Sequence, residues 1–228
     1  CSAELKAEVI RRMPGGLIEI YSMTEGGVVC ILLAHAHPDK LHSVGIAWGG
    51  SEVITVDEDL KRLPPGEMGE LVGRSQTMMS GYQNQPEKTE EASWYDENGD
   101  RWQRMGDIGQ VDEDGFITLM GRSKDMIISG GFNIYPRDLE EALMEQPGVA
   151  DAAVIGVESR QWGETPLGFV VAEPGVSLDL GALKTATNSG LGKTQRLSEL
   201  RLIDELPRSH IGKILKTELR DLAQQTAA

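Results

Sequence analysis

The chain has 228 residues, 39% of them hydrophobic and 25% charged, with a formal net charge of −14. That composition excludes a disordered or collagen-like chain, and the length admits one large domain or two small ones. So acidic a surface repels nucleic acid and anionic lipid, so a phosphate-bearing ligand has to be held by local groups. The imbalance is uneven: residues 1–121 carry a net −11 and residues 122–228 a net −3, with the change near Arg122. No run approaches the ~18 consecutive apolar residues of a membrane span and no signal-peptide pattern is present, so the expected location is the cytoplasm, where Cys1 and Cys30 are reduced thiols.

In chain order, residues 2–13 predict a helix with Leu5, Val9, Ile10 and Met13 on one face. A helix beginning directly after Cys1, which is no initiator, reads as a piece whose first part lies upstream. Pro14-Gly15-Gly16 is a turn, and a strand over 17–21 delivers Tyr21-Ser22-Met23-Thr24-Glu25 into a Gly26-Gly27 loop. Runs at 53–56, 69–73 and 116–120, separated by Pro64-Pro65-Gly66 and Asp112-Glu113-Asp114-Gly115, predict a β-rich, barrel-like subdomain. Gly121-Arg122-Ser123-Lys124-Asp125 is a polar loop or a hinge. Beyond it the rhythm changes to a strand or hairpin over 126–135, a helix begun by Pro136 and ended by Pro147-Gly148, strands at 152–157 and 168–171, a helix at 178–187, a strand at 200–203 and a last helix at 215–223, with residues 224–228 frayed. The expected fold class is α+β: a β-rich segment over 1–121, a connection at 122–124, and a small α+β domain over 125–228.

Several segments could carry chemistry. Residues 187–194 end in Gly-Lys-Thr like a nucleotide phosphate loop, but Thr187 stands where the first glycine must be and no strand precedes it, so they read as a helix-to-strand loop. The four histidines, His35, His37, His42 and His210, lack zinc-ligand spacing, and no Ser, His and Asp propose a triad. Thr24-Glu25, after a strand and before two glycines, suits a hydroxyl meeting phosphate and a carboxylate holding a hard cation, or else a simple turn. Gly106-Asp107 suits a carboxylate accepting from a ribose diol, or an ordinary turn aspartate. Ser129-Gly130-Gly131 allows either close backbone approach to a ligand or a tight turn, and Gly212-Lys213 offers either a mobile cation for phosphate or a solvated lysine.

Taken in order, these pieces resemble the adenylate-forming superfamily of acyl-CoA synthetases, luciferases and peptide-synthetase adenylation domains. Tyr21-Ser22-Met23-Thr24-Glu25 is similar to the family's Tyr-Gly-x-Thr-Glu segment, Gly66-Glu67-Met68-Gly69-Glu70-Leu71 to its Gly-Glu-x-Gly-Glu-Leu strand, and residues 81–89 to its Gly-Tyr-x-x-x-Pro-x-x-Thr stretch. Gly106-Asp107, Gly121-Arg122-Ser123-Lys124-Asp125, residues 129–136 and Leu206-Pro207-Arg208 to Gly212-Lys213 resemble its ribose aspartate, its hinge, the loop beyond it and its C-terminal lysine motif. Ser22, Met105 and His210 depart from the usual residues, each beside a position with a role.

The resemblance implies the end of a large N-terminal adenylating domain followed by a mobile C-terminal domain. The family's Pro-Lys-Gly phosphate loop is absent, so the chain alone is expected to be inactive. It implies an AMP-forming acid–thiol ligase of fatty-acid metabolism, acting on a fatty or aryl acid with ATP, Mg²⁺ and CoA. Lys213, Thr24 and Glu25 would be catalytic, Glu25 also binding the metal; Tyr21, Asp107 and Arg122 would bind nucleotide; Ser129, Gly130 and Gly131 would meet the pantetheine of CoA; and Lys124 would be the pivot. The alternatives are an enzyme that loads a carrier protein and a non-catalytic nucleotide- or CoA-binding paralogue.

Overall fold

The computed structural model describes residues 2–225; Cys1 and residues 226–228 lie outside the described residues, whereas Gln224 and Gln225, expected to fray, continue the last helix. The architecture is mixed α+β and divides into two compact units, Cys1–Ser123 and Lys124–Ala228. No helix among the described residues is long and apolar enough to cross a membrane.

In the first unit, Ser2 caps α1 (Ala3–Arg12) by accepting the Leu5 amide at 3.2 Å. The helix does not bury the face its apolar spacing predicts. Leu5 and Met13 are 53% and 62% exposed, while Lys6 is 2% exposed and Ile10 joins Leu32, Ala34 and Phe116 in a core. Lys6 is held inward by an ion pair to Glu19 and by donating to the Ser43 carbonyl at 2.7 Å, so a buried charge decides the helix rotation.

Strands β1 (Ile18–Ser22), β2 (Val29–Leu33) and β3 (Ile46–Ala47) form one antiparallel sheet. Next come β4 (Glu52–Val56), β5 (Met68–Arg74), the short α2 (Pro86–Glu91), β6 (Ser93–Tyr95), β7 (Arg101–Val111) and β8 (Ile117–Arg122). The second sheet runs β4-β5-β7-β6, with β8 also on β7. The expected barrel does not close. The two sheets share a core of Val28, Cys30, Leu71, Met105 and Ile117 and are joined by Val44 N–H to Ile117 O (2.8 Å) and Ile117 N–H to Gly45 O (2.9 Å). β3 is two residues long, so the bonding across the seam stops there. Cys30 is fully buried in this core, and burial pushes its thiol up to about 12.

In the second unit, β9 (Ile127–Ser129) and β10 (Phe132–Ile134) form a hairpin, followed by α3 (Pro136–Met144), β11 (Val149–Ser159), β12 (Gly163–Ala172), α4 (Leu180–Ser189), β13 (Glu199–Leu202) and α5 (Lys216–Gln225). The sheet order is β10-β9-β12-β11, with β13 parallel to β12 after the α4 crossover. Alternate residues of β11 face opposite layers: Ala152 and Val154 meet Leu139, Leu143 and Leu183, while Ala153 and Ile155 meet Leu219 and Ala223. Helices thus cover both faces, which is why β11 and β12 read as nearly continuous apolar runs. The Gly-Lys-Thr near miss lies after α4, where Asn188 accepts the Leu197 amide at 2.8 Å and donates to its carbonyl at 3.0 Å; it is a self-closed loop before β13.

Candidate active site

In the first unit the site is built on a defect in the central strand. β5 and β7 pair Glu70 with Ile108 and Val72 with Arg104, so residues 105–107 bulge opposite the single Leu71. Gly106 sits at φ 65°, a left-handed value that favours glycine. Such bulges re-aim side chains, and this one turns out Asp107, which stands directly across from Arg122 on β8. Arg122 Nε lies 3.1 Å from one carboxylate oxygen of Asp107, and the Tyr21 hydroxyl, from the end of β1, donates to the other. Burial foremost, and then the adjacent Asp107 charge, raise the Tyr21 phenol well above its ordinary range, so it stays a donor. Three residues placed here by the sequence motifs, Tyr21, Asp107 and Arg122, are therefore one cluster.

Thr24 and Glu25 follow β1 in a loop that only glycine can continue. A side chain at Gly26 (φ 72°) would reach within 2.2 Å of the Thr77 carbonyl oxygen. The Met79 amide donates to Glu25 O at 2.8 Å, and Ser75 Oγ donates to Gly26 O at 2.6 Å. Thr24 is exposed, while the Glu25 carboxylate accepts the Tyr82 hydroxyl at 2.9 Å on Oε1. Burial, and then this bond, raise the Tyr82 phenol.

Tyr82 is the functional candidate that motif reading left without a role. Its signal was the Gly-Tyr-x-x-x-Pro-x-x-Thr spacing: Pro86 opens α2, and Thr89 Oγ1 reaches back to accept the Tyr82 amide at 2.9 Å. An open groove of about 600 Å³ lies beside these groups, lined by Tyr82, Gly106, Glu70, Arg104 and Lys88 among others.

Among the described residues no group of three or more His, Cys, Asp and Glu could cage a metal ion. Glu25 alone nevertheless suits Mg²⁺, which keeps several waters and takes one or two carboxylates plus substrate phosphates. Its Oε2 has no partner among the described residues, which leaves one oxygen for such a cation. His35 Nδ1 lies 3.2 Å from the Leu17 carbonyl and His37 packs edge-on to Phe116, so both have structural duties.

In the second unit, Gly130 (φ 58°) and Gly131 (φ 83°) form the two-residue turn between β9 and β10, both in the left-handed region that tight hairpins demand. The Gly130 amide donates to Trp162 O at 2.8 Å, and a side chain at Gly130 would strike the Trp162 ring at 2.9 Å. Lys213 closes a turn in which the Ser209 amide donates to its carbonyl at 2.8 Å. Arg208 braces that turn by donating to Gly212 O at 2.7 Å and to Asp151 at 2.5 Å.

Lys213 is exposed, and its ammonium has no partner among the described residues. The glycine hairpin and the Lys213 turn do not meet. Ser129 pairs with Gly163 at the turn end of the β11–β12 hairpin, whereas Asp151 lies at its open end, eight residues along β11 from Ser159, or roughly 25 Å at ~3.3 Å per residue. Lys124 is exposed in a single 3₁₀ turn, Ser123–Asp125.

Residues 1–83 match the family model described as "AMP-binding enzyme" and residues 138–213 the model described as "AMP-binding enzyme C-terminal domain". The chain is 39% identical over 214 residues to a long-chain-fatty-acid–CoA ligase of Escherichia coli, covering 91% of this chain and 36% of that ligase. It is 36% identical over 207 residues to a fatty acid–[acyl-carrier-protein] ligase of Streptomyces coeruleorubidus, covering 89% of this chain and 39% of that protein. The crystal structure of ATP-bound MatB from Rhodopseudomonas palustris superposes with a TM-score of 0.87 at 29% identity, over 100% of this chain and 44% of MatB. The chain thus spans well under half the length of these relatives. With one family model on each unit and the order of motifs kept between them, the chain belongs to the AMP-binding, adenylate-forming enzyme family.

Proposed function

We propose that the intact enzyme is an AMP-forming acyl-CoA synthetase acting on a fatty or aryl acid. In the first half-reaction a substrate carboxylate oxygen attacks the α-phosphorus of ATP, the bond to the bridging oxygen breaks, and pyrophosphate leaves. In the second, the CoA sulfur attacks the acyl carbonyl and AMP departs. Neither step requires covalent participation by the protein, so these residues contribute orientation and charge.

Asp107 accepts the two ribose hydroxyls on its ionised oxygens, oriented by Arg122 and Tyr21. Thr24 donates its hydroxyl to an α-phosphate oxygen. Glu25, steadied by Tyr82, would hold Mg²⁺, whose chemistry is to neutralise phosphate charge. Lys213 donates to the carboxylate and α-phosphate oxygens, where negative charge crowds in the transition state. The backbone of Ser129, Gly130 and Gly131 lies along the pantetheine in the second step, and rotation about Lys124 exchanges the two ends of the C-terminal domain.

The observation that carries this reading is the cluster of Asp107, Arg122 and Tyr21 on the bulged strand, in a chain 39% identical to a CoA ligase. The placement of the glycine hairpin and the Lys213 turn at opposite ends of the β11–β12 hairpin supports the alternation, since the domain must turn to use both. A second reading, loading of an acyl-carrier protein, is favoured by the 36% identity to the Streptomyces ligase.

Pyrophosphate release from the intact enzyme, followed by thioester formation with CoA or with a carrier as acceptor, separates the readings. CoA thioester is expected, carrier thioester alone moves the conclusion to the second reading, and no acid-dependent pyrophosphate release would leave only a binding role.

A further inference from the structure

The bulge that turns out Asp107 leaves a gap of three β7 residues opposite one β5 residue, and an ion pair spans that gap. Arg104, at the near edge of the bulge, donates from Nε to both Glu70 oxygens at 3.2 Å and from Nη2 to Oε2 at 2.6 Å; Glu70 is the residue paired with Ile108 at the far edge. Glu70 is 12% exposed and Arg104 33%, so the pair is largely sheltered from solvent.

The same guanidinium donates from Nη1 to the Glu91 carbonyl at 3.4 Å, and the Arg104 amide donates to Ala92 O at 2.8 Å, which ties the strand to the end of α2. α2 carries Thr89, which fixes Tyr82 and, through it, Glu25. Arg104 and Glu70 therefore stand between the two halves of the candidate site and line the groove that runs past Gly106 and Tyr82.

We propose that Arg104, oriented by Glu70, is a positioning residue for nucleotide: it holds the bulge in the shape that aims Asp107 and holds α2 at the spacing that keeps Tyr82 on Glu25. The inference rests on the proposed adenylation reaction. A planar guanidinium making parallel bonds to one carboxylate fixes direction as well as distance, which a lysine ammonium cannot. Arg104→Gln removes the charge and most of the fork, Arg104→Lys keeps only the charge, and Glu70→Gln removes the partner.

In acid-dependent ATP–pyrophosphate exchange by the intact enzyme, Arg104→Gln should raise KM for ATP about tenfold, the scale of one lost charge-assisted hydrogen bond, and leave KM for the acid within about twofold. Arg104→Lys should fall between it and wild type, and Glu70→Gln should resemble Arg104→Gln. Unchanged KM for ATP, or equal rises for ATP and acid together with a lowered melting midpoint, would overturn the proposal and leave an ordinary structural ion pair.

Amide hydrogen exchange provides a readout that needs no turnover. In the Arg104→Gln chain, residues 105–108 should exchange at least about tenfold faster while β4 and β8 keep their protection. Unaltered exchange there overturns the inference whatever the enzyme does. Wild-type enzyme without acid-dependent exchange overturns the reaction assigned above instead, so the two failures are distinguishable.

Discussion

Asp107 and Lys213 carry opposite charges and occupy opposite structural circumstances. Asp107 is 13% exposed on a central strand, with both oxygens engaged by Arg122 and Tyr21 before any ligand arrives. Lys213 is exposed at the end of a short turn whose backbone is braced but whose ammonium is unpaired among the described residues. On the proposed function Asp107 recognises the neutral diol of a nucleotide, and such a group gains from a rigid frame. A group that serves one transition state and must then withdraw is better left unpaired, since an ion pair of its own would have to break each time.

The comparison breaks most visibly at Lys213. In the intact enzyme Lys213→Ala should lower acid-dependent ATP–pyrophosphate exchange about 10²- to 10³-fold, the usual cost of one transition-state donor, while pre-formed acyl-adenylate still reacts with CoA at nearly the wild-type rate. Equal slowing of both half-reactions would mean that Lys213 is not withdrawn. Lys193, exposed in the loop after α4, is the control whose alanine variant should be silent; Lys216 is unsuitable because it donates to Glu140 at 2.8 Å and is largely buried.

The next largest effect is expected at the rigid pole. Asp107→Asn removes the ion pair and one acceptor for the ribose, and kcat/KM for ATP should fall roughly 10- to 10²-fold, the scale of charge-assisted hydrogen bonds. Calorimetric titration with AMP should show the same loss; unchanged affinity would sink the ribose assignment.

A smaller shift sharpens the role of Tyr82. Tyr82→Phe removes one neutral-to-charged hydrogen bond from Glu25, so the Mg²⁺ concentration for half-maximal rate should rise about two- to tenfold with the rate at saturation preserved. A lowered saturated rate with unchanged Mg²⁺ dependence would count against a supporting role at the metal.

The smallest effect concerns stability. Cys30 in the folded unit is pushed up to about 12, while an unfolded thiol ionises near ~8.5. Above the unfolded value the unfolded chain sheds a proton that the native state keeps, so this contribution is complete below ~8.5 and is lost as pH rises toward 12. The raised Tyr21 phenol acts in the same direction from ~10 upward. Denaturant midpoints at about pH 8 and about pH 10 should therefore differ less in Cys30→Ala than in wild type; an equal difference would locate the alkaline loss elsewhere.

Much of this was legible in the sequence where local chemistry decides the outcome. The glycine hairpin at 130–131 and the helix start at Pro136 follow from backbone preferences of single residues, and β11 and β12 from their apolar runs. The packing face of α1 was not legible, since the apolar spacing favoured Leu5 and Met13 and the long-range partners Glu19 and Ser43 buried Lys6 instead. β7 was obscured for a related reason. Its polar residues and two interior glycines break the alternation that marks a strand, because three neighbouring strands and a bulge supply its order. At the site, motifs identified Asp107, Arg122 and Tyr21 separately, but their convergence depends on a β1–β7–β8 juxtaposition that no local pattern encodes.

The buried position of Cys30 also makes the first unit self-reporting. Both cysteines of the chain lie in its first 30 residues, and the second unit has none. In a Cys1→Ser background, a thiol reagent can reach the fully buried Cys30 only in molecules whose core has opened around it, so its labelling rate is the intrinsic thiol rate scaled by the equilibrium constant for that opening. Alkylation kinetics then report on opening of the unit carrying Asp107, since the C-terminal unit has no cysteine to label. Nucleotide that binds the closed form should slow the labelling in proportion to its occupancy.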